Sequence, residues 1–174
     1  MNLEEINWMK KPRMKKYNVS IGTAVADKKF DLPNCIGIDP GRNFGIGVLR
    51  DGELSVMWGK LPKCEKDWEY YNKAKMLVLS LFAADKFTDI GVVEGPSYGS
   101  IYKQPMLEDV RVGFLLGLHM VGVDADYCPP QTARKAVFGK GTTKASEVWL
   151  DVNSNAADGG ALVLWKAGYE HTLD

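Results

Sequence analysis

The sequence predicts an α/β domain built on a mixed sheet, three antiparallel strands followed by parallel ones, with helices on both faces. Three observations carry that reading. Residues 35–39 (CIGID) and 90–94 (IGVVE) are short apolar runs, each ending in a carboxylate. Two further strand-like runs flank Asp51-Gly52, the dipeptide of a tight hairpin turn. Downstream, stretches with helical spacing alternate with one more apolar run.

Taken in order, residues 45–50 (GIGVLR) and 53–58 (ELSVMW) complete the antiparallel set around the Asp51-Gly52 turn. Residues 67–86 have the period of a helix, with Trp68, Tyr71, Lys75, Val78, Leu81 and Phe82 along one side. Residues 104–121 read as a second helix, in which Gly113 and Gly117 suit close packing. Residues 123–128 form the next strand and Pro129-Pro130 stops it. A short helix over 131–138, a flexible loop over 139–143 and a helical piece over 144–151 follow. The last helix covers 155–167, with Ser154 as its N-cap and Gly168 as its stop.

Residues 1–34 read differently. The run 9–16 (MKKPRMKK) holds five basic residues and a proline, and residues 26–33 (ADKKFDLP) add a charge run and a proline stop. This predicts a basic N-terminal extension without a core of its own, either a mobile arm or a flap, ahead of a main domain over 35–174. A basic run of this kind serves as plain solvated surface or as a phosphate contact, and both readings stand at this point.

The 174 residues fit one domain, and 45% hydrophobic with 25% charged residues excludes a disordered or fibrous chain. Lys+Arg and Asp+Glu balance at 22 each, which argues against a polycationic coat but leaves room for a local basic groove. Cys35, Cys64 and Cys128 form no C-x-x-C pair and read as free thiols; with only His119 and His171 beside them, a zinc site is not expected. The longest apolar stretch, residues 112–123, is too short to span a bilayer, and the N-terminus has no apolar signal region. The expectation is a cytoplasmic protein with no membrane partner.

The chemistry is expected where the acids fall. Asp39 and Glu94 end two strands, 94 − 39 = 55 residues apart. In an open α/β sheet the carboxyl ends of parallel strands line the binding crevice. If the two strands are neighbours, ~4.8 Å apart, their carboxylates can share a cation. Asp158 is in line with Leu162 and Trp165 at i+4 and i+7, so it faces the sheet with them, and Asn155 shares that side. Oxygen donors from two strand ends and a helix start suit Mg²⁺ or Mn²⁺. Taken singly, an Asp before Pro-Gly serves a turn, a Glu before Gly-Pro is solvated, and an Asp early in a helix complements the dipole. Their joint occurrence on apolar elements points to a metal site.

The ordered set Ile36-Gly37-Ile38-Asp39-Pro40-Gly41, Gly45-x-Gly47-Val48, Val92-Val93-Glu94, Pro129-Pro130-Gln131 with Val137-Phe138-Gly139-x-Gly141, and Asn155-Ala156-Ala157-Asp158 resembles the RuvC Holliday-junction resolvases. These are endonucleases of the ribonuclease H-like superfamily. The compact length and the added N-terminal segment look more like a phage-type member than a bacterial one. The resemblance implies that Asp39, Glu94, Asp158 and position 155 hold two Mg²⁺ ions, with Mn²⁺ as a substitute. It implies paired nicks in four-way DNA junctions by a homodimer, with residues 104–121 as the dimer element.

The same resemblance makes Arg134 a DNA contact and Lys144 a functional lysine, of catalytic role, beside the metal site. Lys135 and Lys140 complete a stretch of four basic residues with no acid before Glu147, a patch suited to phosphates. Tyr98, and after it Tyr102, fall on a loop in which the family carries an aromatic that stacks on opened bases. One departure stands out. Asn155 occupies a position where the family has an acid or a histidine, so the chain as written is expected to bind DNA and to cut it poorly.

Other classes fit less well. Actin-like ATPases and sugar kinases also begin Gly-Ile-Asp-x-Gly but need two domains, and Gly139-Lys140-Gly141 lacks the Ser/Thr of a P-loop. A binding-only module of the same fold and an RNA-processing nuclease stay open; metal-dependent cleavage and preference for branched DNA over structured RNA separate them.

Overall fold

The computed structural model describes residues 2–96 and 104–171. Its centre is one seven-stranded sheet: β1 (Trp8–Lys16), β2 (Val19–Lys29), β3 (Cys35–Asp39), β4 (Asn43–Arg50), β5 (Glu53–Lys60), β6 (Ile90–Glu94) and β7 (Asp124–Cys128). The spatial order is β1-β2-β5-β4-β3-β6-β7. β1 to β5 pair antiparallel, while β6 and β7 run parallel to β3. The expected mixed sheet is therefore present, with a longer antiparallel half.

Helices cover both faces. α1 (Asp67–Phe82) and α2 (Pro105–Met120) pack on one side. α3 (Pro130–Phe138), the short α4 (Ala145–Val148) and α5 (Ser154–Lys166) lie on the other. Asn153, one residue earlier than expected, caps α5 by accepting from the backbone N–H of Asn155 and Ala156. The buried side of α1 is Tyr70, Ala74, Leu77, Val78 and Phe82, whereas Trp68 is exposed. The predicted stripe was turned by one position because α2 presents Gly113 and Gly117 there: a Cβ at either glycine would strike Tyr71, Ala74 or Val78 of α1.

Residues 2–34, expected to be a mobile arm or a flap with no core of their own, are joined to the main sheet and share its core. Leu3, Ile6, Trp8, Ala24, Ala26 and Phe30 are buried in the core under α5. Val19 and Ile21 belong to the core under α1 and α2. The Trp8 ring meets Trp149 edge-on at 5.3 Å between centroids, and Trp149 donates its indole N–H to the Leu3 carbonyl at 2.9 Å. Tyr17 and Asn18 both take positive φ (45° and 58°), which makes the primed two-residue turn that matches strand twist. Only the outer strand matches the predicted exposure: every β1 residue after Trp8 is exposed. An edge strand tolerates Pro12 and a row of cations because its outer rim faces water. One extra β1 residue sits between the pairs Lys11↔Thr23 and Met14↔Ile21, a β-bulge.

Among the described residues, no helix is long and apolar enough to cross a membrane. Cys35, Cys64 and Cys128 are free thiols, the first and last of them buried.

Candidate active site

The site is built where β3, β6 and α5 meet. Ile36, Gly37 and Ile38 of β3 pair with Gly91, Val92 and Val93 of β6, so Asp39 and Glu94 end adjacent parallel strands. Both face the side covered by α5, because side chains alternate along a strand and Cys35 and Val92 already face that way. α5 comes down directly onto β4. A Cβ at Gly45 would overlap the Asn155 carbonyl, and one at Gly47 would overlap that of Gly159. Glycine at these two positions sets the height of α5 over the sheet, and with it the reach of Asn155 and Asp158.

Three carboxylates are thereby held in one electrostatic unit. Burial pushes the Asp39 carboxyl well above the usual carboxylate range, and the charges of Glu94 and Asp158 push it further. Glu94 is raised to about 7, first by burial and then by Asp158. Asp158 is raised by burial, with Arg134 and Lys144 opposing. The physical cause is common to all three: like charges leave water together.

Two arginines answer part of that charge. The Arg134 guanidinium donates to the Asp158 carboxylate at 3.2 Å, each side chain about one-fifth exposed (22% and 19%). Its Nε–H is buried and, among the described residues, has no hydrogen-bond partner. Arg111 of α2 is buried, donates from Nε to the Glu94 carbonyl at 3.0 Å and pairs with Glu108. It lowers the proton affinity of both Asp39 and Glu94. Arg111 was missed in the sequence, where it reads as one solvated position in an otherwise apolar helix.

The other expected residues are placed as follows. Asn155 is half-buried on the first turn of α5 and lines a groove of about 570 Å³ with Arg13, Ser20, Asn43, Trp58 and Lys60. Lys144 is exposed and close enough to Asp158 to lower its proton affinity. Lys135 and Lys140 are exposed; Lys140 lines a separate groove with Asn2, Glu4 and His171, which none of the three carboxylates borders. Tyr98 and Tyr102 lie outside the described residues.

The donor set fits a hard divalent cation in chemistry: three carboxylates, an amide oxygen and incomplete charge compensation. Among the described residues, no three His, Cys, Asp or Glu side chains converge closely enough to enclose an ion. Arg134 is the cation drawn to Asp158 in this arrangement.

Two solved structures share this architecture. The chain superposes on Thermus thermophilus RuvC with a TM-score of 0.56 and 19% identity, covering 75% of this chain and 91% of that one. T. thermophilus RuvC in complex with a Holliday junction substrate gives a TM-score of 0.57 at 19% identity, covering 76% and 90%. The fold is that of RuvC. No family model matches the chain, and no curated protein does. The RuvC fold is thus recognised through geometry, at an identity where sequence alone carries little.

Proposed function

We propose that the chain is a metal-dependent, structure-selective endonuclease of RuvC type that resolves four-way and related branched DNA by paired nicks leaving 5′-phosphates. The observation that carries this is the half-buried set Asp39, Glu94 and Asp158, like charges brought together at adjacent strand ends and a helix start. The shared fold supports it, as does the junction bound to the Thermus protein. Asp39, Glu94, Asp158 and Asn155 would hold two Mg²⁺ ions, with Mn²⁺ able to substitute. When bound, such ions activate a water and stabilise the leaving 3′-oxygen.

The chain's own residues do the rest. Arg134 is poised between Asp158 and an incoming phosphate, and its unpartnered Nε–H is free to take a phosphate oxygen. Lys144 adds positive charge at the same edge. Arg111 anchors the end of β6 through the Glu94 carbonyl. The proposal includes a homodimer, since a four-way junction has approximate two-fold symmetry and needs matched cuts. Gly113 and Gly117 are used against α1, so the contact would fall on the outer side of α2, where Val112 and Met120 are exposed. A phage-type origin and action in the host cytoplasm belong to the same reading.

One observation favours a second reading. Asn155 brings no charge, and Arg134 already answers Asp158, which suits a module that binds branched DNA without cutting it. Mg²⁺-dependent cleavage of a synthetic four-way junction, with linear duplex as control, separates the two. We expect the chain to cut weakly and Asn155→Asp to cut at paired positions at least tenfold faster. Binding by both proteins with cleavage by neither would establish the binding module instead. Equal cutting of duplex and junction would remove the structure selectivity.

A further inference from the structure

We propose that the β1–β2 hairpin is a phosphate-binding ribbon that holds a DNA arm on the same face of the sheet as the carboxylates; this rests on the DNA-processing reading above. The face assignment follows from the ladder. Residues paired across an antiparallel ladder share a face. Trp8 pairs with Ala26 and Lys10 with Ala24, and Trp8, Ala24 and Ala26 belong to the core under α5. Lys10 therefore points to the α5 side. Lys11, paired with Thr23, points to the other.

The bulge then changes the parity of the strand. Pro12 and Arg13 both stand opposite Gly22, and Arg13 donates from Nε to the Ser20 hydroxyl at 2.9 Å and from a terminal nitrogen to the Ser20 carbonyl at 3.2 Å. Lys15 pairs with Ser20 and shares its face. Lys10, Arg13 and Lys15 thus line up on the α5 side, while Lys11 and Lys16 occupy the opposite one. Alternation puts Asp27 and Glu53 on that opposite side too, so β1, β2 and β5 place no acid beside the three cations.

The basic row is physically continuous with the site. The groove lined by Arg13, Ser20, Trp58 and Lys60 runs to Asn153, Ser154 and Asn155 at the start of α5. Trp58 forms its floor, its ring covering Gly22. The order β1-β2-β5-β4-β3 puts four strand spacings between the hairpin and Asp39. At ~4.8 Å each that is about 19 Å, or roughly half a turn of duplex at ~3.4 Å per base step. The ribbon is also fixed in place: its core residues are buried, and the Lys73 ammonium of α1 sits 5.7 Å from the Tyr17 ring at its turn. Cations on a rigid ribbon at this distance fit the backbone phosphates of a double-stranded arm.

The opposite face supplies the control. Binding of a fluorescein-labelled four-way junction in EDTA would be measured against salt for the full chain, for Lys10→Gln/Arg13→Gln/Lys15→Gln, and for Lys11→Gln/Lys16→Gln. A double variant, Lys10→Gln/Lys15→Gln, keeps the Arg13–Ser20 bonds in case the triple variant misfolds. Each phosphate contact contributes ~0.9 to the slope of log K against log salt, so the triple variant should lose about 2.7 and the double variant about 1.8. Affinity at 0.1 M salt should fall at least tenfold for the triple variant, with the Lys11/Lys16 variant unchanged in both respects. A parental slope in the triple and double variants, or an equal loss per charge on both faces, overturns the ribbon while leaving the nuclease reading intact. No junction binding by the parent chain overturns both.

Discussion

The two halves of the α5-side face hold charge by opposite means. On the β3–β6 half, Asp39 and Glu94 are half-buried among like charges and their proton affinities are forced upward. On the β1 half, Lys10, Arg13 and Lys15 stand exposed on an edge strand and need no partner to be charged. The difference teaches which charges can store strain. Exposed cations cost little and discriminate little until a polyanion arrives, whereas buried acids remain unfavourable until something neutralises them.

The strongest way to break this contrast is to remove the acid that both of the others act on. Asp39→Asn should lower Mg²⁺-dependent junction cleavage by about 10³-fold or more, measured as initial rate on the Asn155→Asp background. The same change should raise the melting temperature of the metal-free protein, because one member of a repelling trio is gone. A drop in both would mean that Asp39 is chiefly a structural partner.

The next test acts on the joint between the halves. Gly45→Ala forces a methyl into the Asn155 carbonyl, so α5 must lift from β4. We expect a loss of about 3 kcal/mol or more in urea unfolding, from overpacking against backbone. Tolerance of the alanine within ~1 kcal/mol would show that α5 can ride higher over the sheet.

A third test varies pH. The folded chain keeps the Glu94 proton up to about 7, and the unfolded chain gives it up near the ordinary value of 4.5. Between those values the folded state binds more protons, so stability must fall as pH rises. Glu94 alone contributes on the order of 3 kcal/mol at ~1.4 kcal/mol per pKa unit, present in full below pH 4.5 and lost through about 7. Asp39 and Asp158 act in the same direction. Chemical denaturation in chelator from pH 5 to 8 checks the sign, and a rise would contradict the buried trio.

What was legible in the sequence follows the same division. CIGID and IGVVE announced themselves because buried parallel strands are continuous apolar runs, and their terminal acids had nowhere to be but the carboxyl edge. Asp158 was found through its period with Leu162 and Trp165. β1 was hidden for a physical reason: after Trp8 it buries nothing, so it carries no hydrophobic period to read. β2 did carry a signal, Val19, Ile21, Thr23 and Val25 at alternate positions behind the Tyr17-Asn18 turn, but charged neighbours on both sides masked it. Arg111 was out of reach by local pattern. Only the tertiary placement of α2 beside the end of β6 turns that arginine inward.

The bulge in β1 has a consequence for how this surface can change. The extra residue opposite Gly22 is absorbed locally, so the pairing set by the Tyr17-Asn18 turn and the pairing set by Trp8 coexist on one strand. Deleting Pro12 would let Arg13 pair with Gly22 in a regular ladder, with Met14 still opposite Ile21 and Lys15 still opposite Ser20. Lys10, Arg13 and Lys15 would keep their side of the sheet. The bulge thus acts as a shock absorber: an edge strand can gain or lose one residue there without re-addressing the cations on either side of it.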